Sequence, residues 1–225
     1  MRCKHAVKGT PALSGIVLPQ VPITAEEVWE MNITYHSIIL RAIEESDMDF
    51  CREMINSAEI EATTVGMHYP ISVSEQLEWF RRGRKENELR LLAEQIGVGP
   101  IGMVTLTGIN WVNRSAEVGI KLAFNQTRRT ENTRDLCACF LSYVFRELNI
   151  HCLYTYVLDD NLLSRKLLLR SGFHEDGVLR QRVYKRGRYH DLIAYSLLMD
   201  EYFSRQAEKN EETKENEETC ITGND

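Results

Sequence analysis

No stretch of this 225-residue sequence reaches the roughly 18 consecutive apolar residues a membrane-spanning helix needs. No short apolar run of the secretory kind opens it either. Its six cysteines, Cys3, Cys51, Cys137, Cys139, Cys152 and Cys220, contain no Cys-x-x-Cys pair and no zinc-ligand spacing, so neither a metal nor a disulfide framework is expected. Cys137 and Cys139 lie two apart in an apolar helical stretch and read as buried reduced thiols, which fits a cytoplasmic protein. No internal repeat is visible. Net charge is also scarce once the C-terminus is set aside. Seven carboxylates against two lysines put −5 into residues 206–225, leaving about −1 for the rest of a chain whose total is −6. A nearly neutral body excludes a general nucleic-acid binder, although not a local basic patch.

What remains is ordinary globular material, 43% hydrophobic and 27% charged, enough for one domain with a real core. Residues 1–36 read as a Gly/Pro-rich extension with room for a short helix capped by Thr24, and 204–225 as an acidic disordered tail. Between them, ITYHSIILRAIEESD reads as a first strand, and Ser46 or Asp47 caps a helix carrying Met48, Cys51 and Ile55. Ser74 starts a helix that Gly83 ends. ELRLLAEQI and IGMVTLTGINW form an antiparallel pair around a Gly-rich turn, followed by the strand AEVGIKLAF, whose Gly119 marks a bulge or a close approach. Leu136, Phe140, Tyr143, Val144 and Leu148 make the best helix of the chain. CLYTYVL reads as a strand buried on both faces, LLSRKLLLRSG as an amphipathic helix, and the segment after Phe173 as a hairpin turning at Lys185–Arg188. The expected fold is one α+β domain, a sheet flanked by helices.

The centre of this arrangement is the run from Ala116 to Phe173. A strand there delivers a basic polar loop, NQTRRTENT, onto a helix N-terminus. Unpartnered amides and the macrodipole favour an anion at such a place, and a phosphate-bearing cofactor is the natural candidate.

With ILRAIEESD, PISVSEQLEWF, AEVGIKL, NLLSRKLLLRSGF and GVLRQRVYKRGRYHDLIAYSLL in this order, the chain resembles the GNAT acetyltransferase superfamily. It is most similar to the branch of RimJ/RimL-like ribosomal-protein and spermidine acetyltransferases, over about residues 37–200. The resemblance implies a GNAT-like, mostly antiparallel twisted sheet with domain limits at 37–203. It implies an N-acyltransferase that moves an acetyl group from acetyl-CoA to a primary amine by direct attack, without a metal. Pantetheine is expected on the backbone near Ile120, Lys121 and Leu122, and pyrophosphate on the loop Arg128, Arg129, Thr130, Glu131, Asn132 and Thr133. Asn161 and Ser164 are expected at the cofactor channel. Glu117 is either the proton acceptor, acting through water, or a solvated strand glutamate. A homodimer is a further expectation of the fold.

The sequence also departs from the family. Glu131 and Thr133 stand where the family's loop carries glycine and glycine or alanine. At ~4 Å and an effective dielectric of about 20, a carboxylate beside a phosphate costs about 4 kcal/mol, which Arg128, Arg129 and Arg134 can offset. Leu168 replaces the family's tyrosine seven residues after the asparagine and cannot protonate a thiolate. The alternative reading is therefore a GNAT-fold domain without ordinary acetyl-CoA chemistry: a binding module, or a transferase using a carrier-protein or aminoacyl-tRNA donor. Arg180, Arg182, Lys185, Arg186 and Arg188 form either a patch for an acidic partner or a solvated hairpin. Arg165, Lys166 and Arg170 are either phosphate contacts or the wet face of a helix. His174 and His190 read as structural groups, and Trp79 and Phe80 as packing of the lid over the acceptor pocket.

Overall fold

A computed structural model describes residues 32–66, 69–83, 85–123, 130–208 and 211, leaving aside the side chains of Thr130 and Glu131. Its elements are β1 (Ile33–Tyr35), β2 (Ile38–Arg41), α1 (Met48–Ile55), α2 (Ala58–Thr63), α3 (Val73–Arg81), β3 (Leu89–Gln95), β4 (Gly99–Asn110), β5 (Ser115–Leu122), α4 (Thr130–Arg146), β6 (Cys152–Leu158), α5 (Leu162–Ser171), β7 (His174–Lys185), β8 (Arg188–Leu198) and α6 (199–208).

Eight strands form one sheet in the order β1-β2-β3-β4-β5-β6-β8-β7. Every neighbouring pair is antiparallel except β5–β6. The back of the sheet carries α4. Leu136, Phe140 and Val144, spaced for one helical face, share a core with Val104, Leu106, Ala116, Val118, Leu153 and Ile193. Each such side chain contributes roughly 1.5–3 kcal/mol through burial. The front of the β2–β5 half carries α1, α2 and α3, while α5 and α6 pack on the same core as α4. Met48, Cys51, Leu77, Trp79 and Phe80 of α1 and α3 cover Leu92. Met54 of α1 and Ile60 of α2 cover Met103.

Local chemistry explains the boundaries. The expected first strand is two strands, because His36 adopts a left-handed φ of 50° and folds Tyr35 back onto Ile38. The expected single helix after Asp47 is also two. Ser57 accepts a hydrogen bond from the Ile60 amide and starts α2 where α1 has ended at Ile55. Ser72, rather than Ser74, caps α3, in a reciprocal box with Glu75. Gly172, in the left-handed conformation, ends α5 as expected. Over most of its length β6 is covered better on one face: Leu153 and Val157 are buried, whereas Tyr154 is half-buried and Tyr156 exposed, and only at its end is Leu158 buried on that second face, with Val183 and Leu192. At the C-terminal end, α6 continues past the expected limit at residue 203. Tyr202 is buried and stacks on Phe145 at 4.8 Å, and Arg205 donates to the Arg170 carbonyl at 2.9 Å. The rest of the expected acidic tail, 209–210 and 212–225, and residues 1–31 of the expected extension lie outside the described residues.

Candidate active site

The site is built on a failure of pairing. β5 and β6 run parallel and share a register only from Ser115–Glu117 to Cys152–Tyr154. Beyond that rung both strands continue, but among the described residues β5 pairs with β4 alone. The result is a split in the middle of the sheet. Which backbone groups face it follows from strand alternation. The Ala123 amide donates to the Ile101 carbonyl at 2.8 Å, so Ala123, Lys121 and Gly119 direct their N–H and C=O groups toward β4. Val118, Ile120 and Leu122 direct theirs into the split. Of the three expected pantetheine contacts, Ile120 and Leu122 turn their backbone groups into the split, whereas Lys121 turns its own to β4.

Side chains alternate the other way. Val118, Ile120 and Leu122 pack into the core under α4, while Glu117, Gly119 and Lys121 project to the front. Gly119 has a local cause: a Cβ there would lie 2.6 Å from Thr105 Oγ1, the hydroxyl that donates to the Gly119 carbonyl at 3.4 Å. Glu117 stands on the last shared rung, opposite Thr107 on β4 and Tyr154 on β6, at the apex of the split. Burial raises the pKa of its carboxyl above the usual range. Tyr154 lies beside it, its hydroxyl near Gly108 of β4, a glycine with a left-handed φ of +59°. Burial first, then the neighbouring Glu117 charge, raises the Tyr154 pKa. Read as buried on both faces, CLYTYVL hides Tyr154. The alternation of Tyr154 and Tyr156 was the signal available.

At the far end of the split, α4 begins at Thr130. Arg128 and Arg129 lie outside the described residues, as do the side chains of Thr130 and Glu131. The side chain of Asn132 is buried and donates to Gln95 Oε1 at 2.7 Å, which ties the helix start to the end of β3. Thr133 is half-buried. Asn161 caps α5: its Oδ1 accepts from the Ser164 amide at 3.2 Å, while its Nδ2 donates to the Thr63 carbonyl at 3.5 Å. Leu168 packs against the core and has no access to proton chemistry.

The basic hairpin is largely consumed internally. Lys185 is buried; its Nζ donates to the Thr64 carbonyl at 2.7 Å and lies 3.3 Å from Glu61. Arg186 pairs with Glu61 at 2.9 Å and Arg188 with Asp160 at 3.0 Å. The hairpin thereby straps α2 to the β6–β8 half of the sheet, across the front of the split. Arg180 and Arg182 stay exposed. Arg165 is also engaged, donating to the Tyr195 hydroxyl, the Asp159 carbonyl and Glu175. His190 has neighbours that sequence spacing did not reveal: Asp159 at 3.0 Å and Asp160 at 3.4 Å. With Arg188 on the same Asp160, this cluster already holds its own counter-charge.

Comparison with known proteins agrees with this geometry. A family model described as an acetyltransferase (GNAT) domain matches residues 37–174. The spermidine N(1)-acetyltransferase of Vibrio cholerae is 31% identical over 169 residues, 75% of this chain and 96% of that protein. The putative ribosomal N-acetyltransferase YdaF of Bacillus subtilis is 35% identical over 101 residues, 45% of this chain and 55% of that protein. Among solved structures, the spermidine N-acetyltransferase of Vibrio cholerae in complex with CoA and spermine matches with a TM-score of 0.69. Its sequence identity is 29%, covering 75% of this chain and 99% of that one. The parted strands β5 and β6, the helices around them and the matched domain lead to one assignment: the chain belongs to the GNAT acetyltransferase family and is an N-acetyltransferase, an enzyme of acetyl transfer to amines.

Proposed function

We propose that the split takes acetyl-CoA and that the acetyl group passes directly to a small primary amine presented from the front, with Glu117 accepting the amine proton. The carrying observation is the position of Glu117, at the apex where the paired strands part, half-buried and projecting to the face opposite α4. Ile120 and Leu122 offer backbone donors and acceptors along the edge of the split, as an extended amide-bearing tether requires. The start of α4 offers unpartnered amides to the pyrophosphate, and Asn161 holds the start of α5 beside it. The nitrogen attacks the thioester carbonyl, the C–S bond breaks, the thiolate leaves, and the nitrogen's proton goes to Glu117 directly or through one water. A carboxylate whose pKa lies above the usual range is a better base for this purpose than a solvated one. The CoA complex of the Vibrio cholerae relative supports the donor, and the spermidine in that relative's name supports a small amine as acceptor.

The test is thiol release from acetyl-CoA with a panel of primary amines, wild type against Glu117→Gln. The variant is expected to lose roughly 10²–10⁴-fold in kcat, the usual contribution of a general base, while calorimetry shows acetyl-CoA binding retained. Donor binding with no thiol release for any amine would discard the transferase mechanism in favour of a binding module. Unchanged turnover in Glu117→Gln would remove Glu117 from it.

A further inference from the structure

Among the described residues of this site, Lys121 is a cation with no structural task. It projects from β5 to the same face as Glu117, four residues further along the strand. It stands beside Met103, under the cover supplied by Met54 and Ile60 of α1 and α2. It is half-buried, and no hydrogen bond or ion pair joins its ammonium to any described residue. The nearby Arg90 is fully committed: its guanidinium is bidentate to Glu88 at 2.8 and 2.6 Å and lies 4.5 Å from the centre of the Trp79 ring. Burial first, then the charge of Arg90, pushes the Lys121 pKa down. A half-buried ammonium, next to a second cation and without a carboxylate partner among the described residues, costs stability that a residue of merely structural purpose would not need to impose.

Resting on the acetyltransferase reading above, we propose that Lys121 binds the acceptor. The acceptor is then a primary amine that carries a carboxylate several bonds from its nitrogen. Strand rise puts the α-carbons of Glu117 and Lys121 roughly 13 Å apart. With both side chains standing roughly perpendicular to the sheet, this span is longer than the amine and carboxylate of a free α-amino acid can bridge. It suits an ω-amino acid or a short peptide with a free C-terminus. A polyamine fits less well. A second ammonium about 6 Å from Lys121, at an effective dielectric of about 20, is disfavoured by roughly 100-fold.

Three acceptors of one length separate the possibilities: 6-aminohexanoate, 6-aminohexanamide and 1,6-diaminohexane, with an anionic, a neutral and a cationic far end. The wild-type enzyme is expected to show kcat/KM for the carboxylate roughly 10–100-fold above that for the amide, as a charge-assisted hydrogen bond supports. The diamine is expected below both. In Lys121→Met the carboxylate-to-amide ratio falls toward one, and in Lys121→Arg most of it returns. Equal or higher efficiency for the diamine in wild type overturns the proposal without any variant. So does a ratio untouched by Lys121→Met, or a tenfold loss of acetyl-CoA affinity in that variant with the ratio kept, which would place Lys121 on the donor. Turnover of all three acceptors without preference refutes the anion site alone. Absence of acetyl-CoA binding in the wild type refutes the transferase reading and this proposal together.

Discussion

Gly119→Ala is expected to destabilise the protein through one contact. The glycine has no positive φ, so its backbone suits any residue; the cost is steric. An added Cβ lies 2.6 Å from Thr105 Oγ1, about an ångström inside ordinary contact, and Thr105 sits mid-strand in β4 with a hydroxyl bonded to the Gly119 carbonyl. Overpacking of this kind costs about 2 kcal/mol, within the usual 1–3. For a domain of this size that lowers Tm by roughly 4–8 °C. Thr105→Ala alone loses a long hydrogen bond and is expected to cost less than about 1 kcal/mol. The double variant should recover most of the loss, because the colliding atom is gone. Gly102→Ala is the control: its Cβ collides with the Lys121 carbonyl and lies 2.9 Å from Leu122 Cδ2, so Thr105→Ala cannot relieve it. Thermal and urea unfolding of the four proteins give the double-mutant cycle. A Gly119→Ala protein that melts with the wild type, or a double variant no better than the single, refutes the account of this strand pair.

The remaining predictions concern the site. Burial makes the folded protein hold the Glu117 proton to higher pH than the unfolded chain does. Ionisation therefore subtracts stability as pH rises above the usual carboxylate range, and subtracts none below it. Glu117→Gln should thus be more stable than wild type at pH 8 and equal to it near pH 4, measured by urea unfolding at both, while turnover at pH 8 falls. Asn161→Ala should cost about 1 kcal/mol through loss of the α5 cap, and Asn161→Asp much less; equal stability of Asn161→Ala and wild type would deny the cap. Lys185→Met should release α2 from the hairpin, seen as faster amide exchange in Ala58–Thr63 with the α4 core still protected. Exchange of α2 at the wild-type rate would show that the strap is not what holds it.

Much of this was legible in residues alone. Leu136, Phe140 and Val144 announce α4 because one face of that helix is simply buried, and Gly187 announces the hairpin tip because its φ of +81° is open to few other residues. Glu117 could be named a candidate from its place in AEVGIKL. Its position on the last shared rung could not be read, since a parallel register between residues 37 apart leaves no local trace. The same limit hid Lys185. Five basic residues in one stretch look solvated, and only the fold shows that Glu61 and the Thr64 carbonyl, over a hundred residues away in sequence, take one of them inside. His36 escapes the sequence for a different reason: a left-handed non-glycine residue obeys no strong composition rule, so two short strands read as one.

The parting of β5 from β6 also has a bearing on which donors can serve. A bare strand edge at the rim of a sheet invites pairing by another chain and is normally blunted. Here the edge formed by Val118, Ile120 and Leu122 lies inside the molecule, between α2 in front and α4 behind, where no foreign strand with side chains on both faces can lie down. A thin tether with a pair of amides and no side chains can. On the proposed reading the enzyme keeps a place for a strand without residues, and pantetheine is the strand that takes it. Selection among thioesters should then rest on the amides of the tether more than on the nucleotide, so that an acyl-pantetheine remains a substrate while an acyl thioester of equal length without amides does not.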